Sequence, residues 1–282
     1  MKTVLLTGAT GFVGRQIVNY LSKTGSSIVP VIRVGKESEF NATPNIERVV
    51  TSSDIFQETE DWWAHQCRGV DIVIHAAWYT KPGAYLHSSK NVDCLIGSLT
   101  LAKGAIKAGI SRFVGIGTCF EYDLAVKTVL VNTPLRPLTP YASAKASLFL
   151  GLNHWMELQD VEFGWCRLFY LYGEGEHELR LVPYIHRQLA AGMEANLTNG
   201  SQVRDFLDVS DAARLITKFA MSDKQGAVNI CSGIPVTIRQ IAETIADQYG
   251  RRDLLKFGER EENSFDPPHV LGIPDNGVLE WG

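Results

Sequence analysis

The chain has 282 residues, of which 45% are hydrophobic and 21% are charged, and its formal net charge is −4. This length and composition predict one large α/β domain, or such a domain with a small appendage. Because the net charge is negative and no block of basic residues is present, neither a nucleic-acid groove nor an anionic membrane surface is expected as the main partner.

Cysteine usage and the start of the chain bear on its compartment. The five cysteines are Cys67, Cys94, Cys119, Cys166 and Cys231. They form no CxxC pair and no metal-ligand spacing, which predicts reduced thiols and no metal site. The sequence opens on a strand, with neither the pattern of a signal peptide nor an apolar run that could span a membrane. We therefore expect a cytoplasmic protein.

The first predicted element is a strand that leads directly into a glycine-rich turn and a helix. Residues 4–6 form a short apolar run between threonines, and apolar residues recur at helical spacing over 17–21, on either side of Gly8-Ala-Thr-Gly11-Phe-Val-Gly14. The first glycine permits a sharp turn, the second lets backbone N–H groups approach a pyrophosphate, and the third lets the helix pack closely. The pattern predicts a dinucleotide site, with an ordinary strand-to-helix connection as the alternative.

Further along, short apolar runs alternate with helical patterns. The predicted strands are Ile28–Ile32, Glu47–Val50, Asp71–His75, Arg112–Ile116, Val161–Leu168 and Ala227–Ile230. Such alternation is typical of a doubly wound parallel sheet, here a Rossmann-type α/β fold of about seven strands. We expect a Rossmann domain over 1–172 and a small C-terminal substrate lobe over 173–282, with 204–232 returning to the Rossmann domain.

The residue type at the end of the second strand discriminates between the two nicotinamide cofactors. An acidic residue there binds the ribose 2′-OH of NAD, whereas a basic one accommodates the 2′-phosphate of NADP. The strand ends at Arg33, with Lys36 nearby and no acid before Glu37. This favours NADP(H) over NAD(H). The alternative is a solvated loop arginine.

A second constellation supplies a candidate acid. Tyr141 and Lys145 lie one helical turn apart, after Thr139 as a helix cap and Pro140 in the first turn. An ammonium near a phenol would lower the tyrosine pKa. Thr118 ends a predicted strand, where the ligand chemistry of such sheets takes place. The pair alone is a weak signal, since it could be a helix-surface contact.

These motifs together resemble the extended branch of the short-chain dehydrogenase/reductase superfamily, the NAD(P)-dependent nucleotide-sugar epimerases, dehydratases and reductases. The resemblance covers nearly the whole chain. The matching segments are Gly8–Gly14, Ser53–Ile55, Asp71–Ala77, Asn91, Thr118…Tyr122, Pro140-Tyr141…Lys145, Arg167–Gly173 and Arg204–Asp211.

The resemblance implies roles for individual residues. The catalytic set would be Thr118, Tyr141 and Lys145. Cofactor contacts would come from Gly8, Thr10, Gly11, Phe12, Val13, Gly14, Arg33, Asp54, Ile55, Ala76, Ala77, Asn91, Lys145 and Phe169. A nucleotide-diphosphate sugar would be held by Glu121, Arg180 and Arg204, with Arg204 gripping the diphosphate. The alternatives are an exposed loop carboxylate for Glu121 and an ion pair with Asp205 or Asp208 for Arg204.

Departures from the family pattern narrow the reaction. The acidic residues that dehydratases carry after the catalytic Ser/Thr are replaced by Cys119 and Phe120, which disfavours dehydration. The cysteine and histidine of combined epimerase/reductases are replaced by Phe120 and Arg180, while Cys119 and His177 lie close but off register. Tyr170 stands where the family has an asparagine, so the usual diphosphate contacts there are in doubt.

These observations leave reduction or 4-epimerisation. We expect an NADPH-dependent 4-ketoreductase of a nucleotide-linked 4-keto-6-deoxy sugar, in which Tyr141 donates the proton and Thr118 bonds the same oxygen. An NAD-dependent nucleotide-sugar 4-epimerase is the alternative, and a non-catalytic NADP sensor is a third. The nucleotide, the sugar and the C4 stereochemistry are not determined by the sequence.

The assembly and the C-terminal tail complete the sequence-based expectations. The family implies a homodimer built on helices near 91–108 and 141–158. The alternative is that these helices only cover the sheet. The tail over 261–282 has an irregular pattern, and its role is not assigned.

Overall fold

The computed structural model of the protein describes residues 1–262 and 267–274, so part of the tail lies outside the described residues. Its strands are β1 (Thr3–Thr7), β2 (Ser27–Arg33), β3 (Val50–Ser52), β4 (Ile72–His75), β5 (Arg112–Thr118), β6 (Thr128–Val129), β7 (Glu162–Leu168), β8 (Tyr170–Tyr172), β9 (Ala195–Leu197), β10 (Val203–Asp208), β11 (Gly226–Ile230), β12 (Pro235–Thr237), β13 (Leu255–Phe257) and β14 (Leu271–Gly272). Its α-helices are α1 (Phe12–Leu21), α2 (Glu60–Gln66), α3 (Lys90–Lys107), α4 (Pro140–Glu157), α5 (Leu181–Ala190), α6 (Val209–Met221) and α7 (Ile238–Tyr249).

The central sheet has seven parallel strands in the order β11-β7-β5-β4-β1-β2-β3. From β1 the chain moves outward to β3 and then crosses back to β4 on the other side of β1. The strand order therefore reverses between β1 and β4, and ligands of such sheets bind outside the carboxyl ends of the strands at that point. The predicted Rossmann-type fold is confirmed.

Helices cover both faces of this sheet. On one face α1 packs against α6, and on the other α2, α3 and α4 pack together. The strands are accordingly apolar throughout: Val4, Leu5 and Leu6 of β1 are all fully buried. Burying each such side chain contributes about 1.5–3 kcal/mol. The rigid sheet that results fixes the positions of the residues at its carboxyl edge.

The C-terminal lobe contains its own small core. Helices α5 and α7 pack with β9 and β13 around Ile185, Leu189, Ala242 and Ile245. Strands β8, β10 and β12 form a separate three-stranded sheet. Within 204–232, β11 lies in the large sheet and α6 packs against α1, whereas β10 belongs to the small sheet. The return to the large sheet thus begins at α6 rather than at residue 204, because β8 and β12 supply the partners of β10.

Two further features bear on the sequence-based expectations. All five cysteines are free and buried. Within the described parts of the chain, no helix has both the length and the apolar character needed to cross a bilayer.

Candidate active site

A cavity of about 1490 Å³ opens at the carboxyl edge of the sheet, between the sheet and the C-terminal lobe. Its lining begins at the glycine-rich turn after β1, passes the ends of β4 and β5, and reaches β8, β10 and the start of α5. One cleft therefore holds both the predicted dinucleotide turn and the predicted catalytic residues.

The glycine-rich turn has the geometry that a pyrophosphate needs. Gly8 has a φ of +72°, and the N–H of Gly11 donates to the carbonyl of Gly8 at 2.9 Å. A Cβ on Gly14 would overlap that same carbonyl, so only glycine lets α1 pack this closely. No side chain caps α1 and no acid lies in its first turn. Its free N–H groups thus face the cleft without a competing anion.

Three cations and one carboxylate line the outer end of the cleft. Arg33 is the last residue of β2, and Lys36 and Arg15 lie nearby. Glu39 pairs with Arg15 at 2.8 Å and with Lys36 at 3.0 Å. Arg33 forms no ion pair with another residue of the described chain. Sequence spacing did not single out Glu39, because it lies beyond β2 in a 3-10 helix over Glu37–Phe40 that the turn folds back toward the cleft.

The predicted adenine and nicotinamide contacts mostly line the same cleft. Thr10, Phe12, Val13, Asp54, Ile55, Ala76, Ala77 and Phe169 all do so. Asn91 is an exception, since it is fully buried behind the wall. It accepts a hydrogen bond from the indole of Trp78 at 2.9 Å and donates to the carbonyls of Tyr85 and Ser88. Asn91 thus braces the cleft wall, and the expectation that it lines the cleft is wrong.

The three predicted catalytic side chains converge on one point of the cleft. Thr118 ends β5, and Tyr141 lies in the first turn of α4, which Thr139 caps by accepting from the N–H of Ala142. The hydroxyl of Thr118 lies close enough to that of Tyr141 to act on the phenol, where it favours a lower pKa. Lys145 follows one turn later and is 2% exposed. All three line the cleft.

Lys145 is held by neighbours that sequence reasoning missed. Its ammonium donates to the carbonyl of Ile116 at 2.6 Å and lies 3.8 Å from the centroid of the Trp78 ring. Trp78 and Tyr85 also pack edge-on against Tyr141. Trp78 comes three residues after the end of β4, and that position at the carboxyl edge is the signal that could have identified it.

Burial sets the protonation of this group. Desolvation lowers the pKa of Lys145 to about 7. Burial, followed by the nearby Tyr85 and Glu121, raises the pKa of Tyr141 above its usual value, although the nearby Thr118 hydroxyl acts in the opposite direction. The expectation that Lys145 holds the tyrosine pKa down is wrong for this arrangement, because the ammonium is directed at Ile116 and Trp78. Tyr141 is therefore a phenol that can give up a proton.

Glu121 does not face the cleft, so its predicted contact with sugar hydroxyls is wrong. Its side chain is fully buried and pairs with Arg167 at 2.7 Å. It also accepts from the N–H of Thr118 at 2.8 Å and from the indole of Trp165 at 3.1 Å. A Cβ on Gly117 would overlap both Glu121 and Trp165. Glu121 thus holds the backbone of Thr118 from the side opposite the cleft.

The substrate end of the cleft contains both predicted arginines. Arg204 is 1% exposed, donates to the carbonyl of Val203 at 2.7 Å, and lies 5.1 Å from the centroid of the Tyr170 ring. Asp205 accepts hydrogen bonds from Ser232, Gly233 and Gly272. Arg180, just before α5, is exposed and also lines the cleft. A phosphate-binding role is thus geometrically open to both arginines.

Two residues bear on whether the cleft could support other chemistry. Cys119 is buried, and desolvation raises the pKa of its thiol to about 12, so it remains protonated at neutral pH. His177 is exposed and does not belong to the cleft lining. The off-register pair therefore does not form an acid and base. Within residues 1–262 and 267–274, no cluster of three or more His, Cys, Asp or Glu side chains could hold a metal ion.

Sequence comparisons identify the family and several related proteins. The model of the NAD dependent epimerase/dehydratase family matches residues 4–231. The dTDP-6-deoxy-L-talose 4-dehydrogenase (NAD(+)) of Aggregatibacter actinomycetemcomitans is 23% identical over 274 residues, 95% of this chain and 98% of that protein. The GDP-6-deoxy-D-mannose reductase of Pseudomonas aeruginosa is 26% identical over 265 residues, 87% of this chain and 80% of the other.

A solved structure shows the same fold. The UDP-glucose 4-epimerase of Thermotoga maritima, determined with UDP-glucose, superposes with a TM-score of 0.83 at 20% identity, covering 98% of this chain and 91% of that one. The family match spans the glycine-rich turn, the three predicted catalytic residues and the last strand of the large sheet. The chain therefore belongs to the NAD dependent epimerase/dehydratase family.

Proposed function

We propose that this protein is an NADPH-dependent 4-ketoreductase of a nucleotide-linked 4-keto-6-deoxy sugar. The observation that carries the proposal is the convergence of Thr118, Tyr141 and Lys145 on the cleft that also contains the glycine-rich turn. Two similar proteins are named for oxidation or reduction of 6-deoxy sugars. We propose also that residues 173–282 make most of the contacts with the substrate.

The proton that completes the reduction comes from Tyr141. When bound, NADPH supplies a hydride to the C4 carbonyl carbon of the sugar. The phenol of Tyr141 gives its proton to the C4 oxygen, so the ketone becomes an alcohol. The hydroxyl of Thr118 donates a hydrogen bond to the same oxygen and stabilises its developing negative charge. Lys145 would bond the nicotinamide ribose of the cofactor.

Other residues would position the two ligands. The N-terminus of α1 and the turn at Gly11, Phe12 and Val13 would hold the cofactor pyrophosphate. Asp54 and Ile55 would flank the adenine, and Phe169 would lie beside the nicotinamide. Arg33, with Arg15 and Lys36 beside it, would bind the 2′-phosphate of NADPH. Arg180 and Arg204 would contact the substrate diphosphate.

An NAD-dependent 4-epimerase is the second candidate, and one observation favours it. Glu39 places a carboxylate at the end of the cleft where the adenosine ribose would lie, and a carboxylate there suits a 2′-hydroxyl. The same three catalytic residues would serve an epimerase, which oxidises and then reduces one carbon. Cofactor choice therefore bears directly on the reaction. A non-catalytic NADP sensor is the least supported candidate because the full catalytic set is present.

The decisive assay uses the purified chain and a panel of nucleotide-linked 4-keto-6-deoxy sugars. Loss of NADPH absorbance, together with a product heavier by two hydrogens, would support the reductase. Interconversion of ordinary nucleotide sugars at constant mass, without net cofactor consumption, would support the epimerase instead. Binding of NADPH without either activity would support the non-catalytic NADP sensor. A parallel series with NADH measures the cofactor preference.

We propose further that the protein is a cytoplasmic homodimer. Its five cysteines are free and buried, as suits a reducing compartment. Val92 and Ile96 on α3 and Leu150 on α4 are each more than half exposed, and such apolar residues on neighbouring helices suit an interface between two copies. A solution mass twice that of the chain, reduced to the monomer mass by Ile96→Glu, would support the dimer.

A further inference from the structure

Glu39 lies between two of the three cations at the outer end of the cleft. One carboxylate oxygen is 2.8 Å from the guanidinium of Arg15, and the other is 3.0 Å from the ammonium of Lys36. Arg33 completes the basic group, and all four side chains line the cleft. Glu39 thus forms ion pairs with Arg15 and Lys36, two of the three cations that would bind a 2′-phosphate.

The fold fixes Glu39 in this place. Phe40, the next residue, is buried in the core between the sheet and α1, and so anchors the 3-10 helix over Glu37–Phe40. From the other side, the Nε of Arg15 donates to the carbonyl of Thr10 at 2.9 Å, within the glycine-rich turn. Arg15 therefore connects the turn that would hold the pyrophosphate to the carboxylate of Glu39.

Charge and exposure determine what Glu39 can do. The side chains of Arg15 and Lys36 are each 55% exposed and that of Glu39 is 28% exposed, so both ion pairs are weak and can be exchanged. A phosphate monoester carries about −1.5 to −2 charges at neutral pH and would be repelled by an adjacent carboxylate. A ribose 2′-hydroxyl, in contrast, can donate a hydrogen bond to that carboxylate.

We propose that Glu39 determines cofactor specificity by competing with the 2′-phosphate of NADP(H) for Arg15 and Lys36 and by accepting a hydrogen bond from the 2′-hydroxyl of NAD(H). Glu39 therefore reduces the affinity for NADP(H) relative to NAD(H), whereas Arg33 increases it. This inference rests on the proposed function for the placement of the cofactor in the cleft. It makes Glu39 the acidic counterpart of Arg33 at the same site.

The test is a fluorescence titration of the full chain with NADPH and with NADH, which differ only in the 2′-phosphate. Glu39→Gln keeps the size of the side chain and removes its charge. We expect the ratio of the Kd for NADH to the Kd for NADPH to rise about three- to tenfold over wild type at low salt. That change should shrink at about 0.5 M salt, where exposed charges are screened.

Glu37→Gln is the matched control. Glu37 lies two residues earlier in the same 3-10 helix, outside the cleft lining, and pairs with no cation of the described chain. A rise in the ratio of at least threefold for Glu39→Gln, absent in Glu37→Gln, would support the inference. A smaller rise, no change, a fall, or an equal effect in the control would overturn it.

Measurements other than the change in the Kd ratio would contradict the proposed function. A wild-type protein that prefers NADH would contradict the NADPH assignment, and a protein inactive on 4-keto sugars would contradict the reductase. In either case the change in the Kd ratio caused by Glu39→Gln still decides the role of Glu39, because the titration requires no substrate and no turnover.

Discussion

The carboxylate of Glu121 and the guanidinium of Arg167 form a 2.7 Å ion pair in the interior, where their side chains are 0% and 2% exposed. Each partner has further bonds: Glu121 accepts from the N–H of Thr118, and Arg167 donates to the hydroxyl of Tyr122 at 3.0 Å. The pair therefore connects the core behind the cleft to Thr118, the threonine proposed to be catalytic. A change in either partner should affect both stability and catalysis.

We expect Glu121→Gln to lower the free energy of unfolding by about 3–5 kcal/mol, because it leaves the charge of Arg167 buried and unpaired. Urea unfolding followed by circular dichroism measures the change. Glu47→Gln is the control, since Glu47 pairs with Arg48 at the same 2.7 Å but with both side chains more than a third exposed. An exposed pair contributes about 0–1 kcal/mol, so equal losses in the two variants would contradict the prediction.

We expect Tyr141→Phe to reduce kcat by about 10²- to 10⁴-fold, since it removes the proton donor and leaves the rest of the cleft intact. The Kd of NADPH should change little, because the glycine-rich turn is untouched. Steady-state kinetics and a cofactor titration measure the two effects. Tyr20→Phe on α1, outside the cleft lining, is the control. Full activity of Tyr141→Phe would refute the assigned mechanism.

We expect Arg33→Ala to raise the Kd of NADPH about tenfold or more while changing that of NADH by less than about twofold, because a charge-assisted bond to phosphate contributes about 1.5–3 kcal/mol. Titration of the same preparation with both cofactors supplies an internal control. Equal weakening of NADPH and NADH would show that Arg33 contacts a part common to both cofactors.

The buried ammonium of Lys145 should make stability depend on pH. Burial lowers the pKa of Lys145 to about 7 from the 10.5 of an exposed lysine. Between these values the unfolded chain binds more protons at this residue than the folded chain, so its contribution to stability increases as the pH rises from about 7. Below pH 7 the desolvation cost is fully present.

The variant Lys145→Met isolates this contribution, because it keeps much of the side-chain volume and cannot be protonated. We expect the free energy of unfolding of the wild type, minus that of Lys145→Met, to increase between pH 6 and pH 8.5. Urea unfolding at pH 6, 7 and 8.5 measures the difference. A difference that does not vary with pH would mean that the pKa of Lys145 is not lowered.

Local sequence patterns were sufficient to predict those parts of the structure that depend on contacts between residues close together in the chain. The turn from Gly8 to Gly14 joins one strand directly to one helix. Gly8 has a φ of +72°, which favours glycine, and contact with Gly8 and Ala9 leaves no room for a Cβ on Gly14. The spacing of Tyr141 and Lys145 on one helix is likewise a local property. Parallel strands have their carboxyl ends at one edge of the sheet. The sequence therefore places Thr118, at the end of a strand, on the same edge as the glycine-rich turn.

Residues whose contacts depend on tertiary packing were placed wrongly or missed. Glu121 was expected at the substrate, but Arg167 and Trp165 on β7 draw it into the core. Asn91 was expected in the cleft, but it serves to hold Trp78 in the wall. Glu121 meets partners that lie 44 and 46 residues away in the chain. Asn91 meets an irregular loop that brings Trp78 and Tyr85 around it, so no spacing rule places either residue.

The sequence by itself determined the fold class and the family and predicted three catalytic side chains, because these follow from periodicity and from short motifs whose geometry is local. Only the tertiary structure decided how those side chains ionise and which charges face the cofactor. The reason is physical: the pKa values of Tyr141 and Lys145 depend on burial by several elements, and Glu39 reaches Arg15 only because the chain folds back after β2.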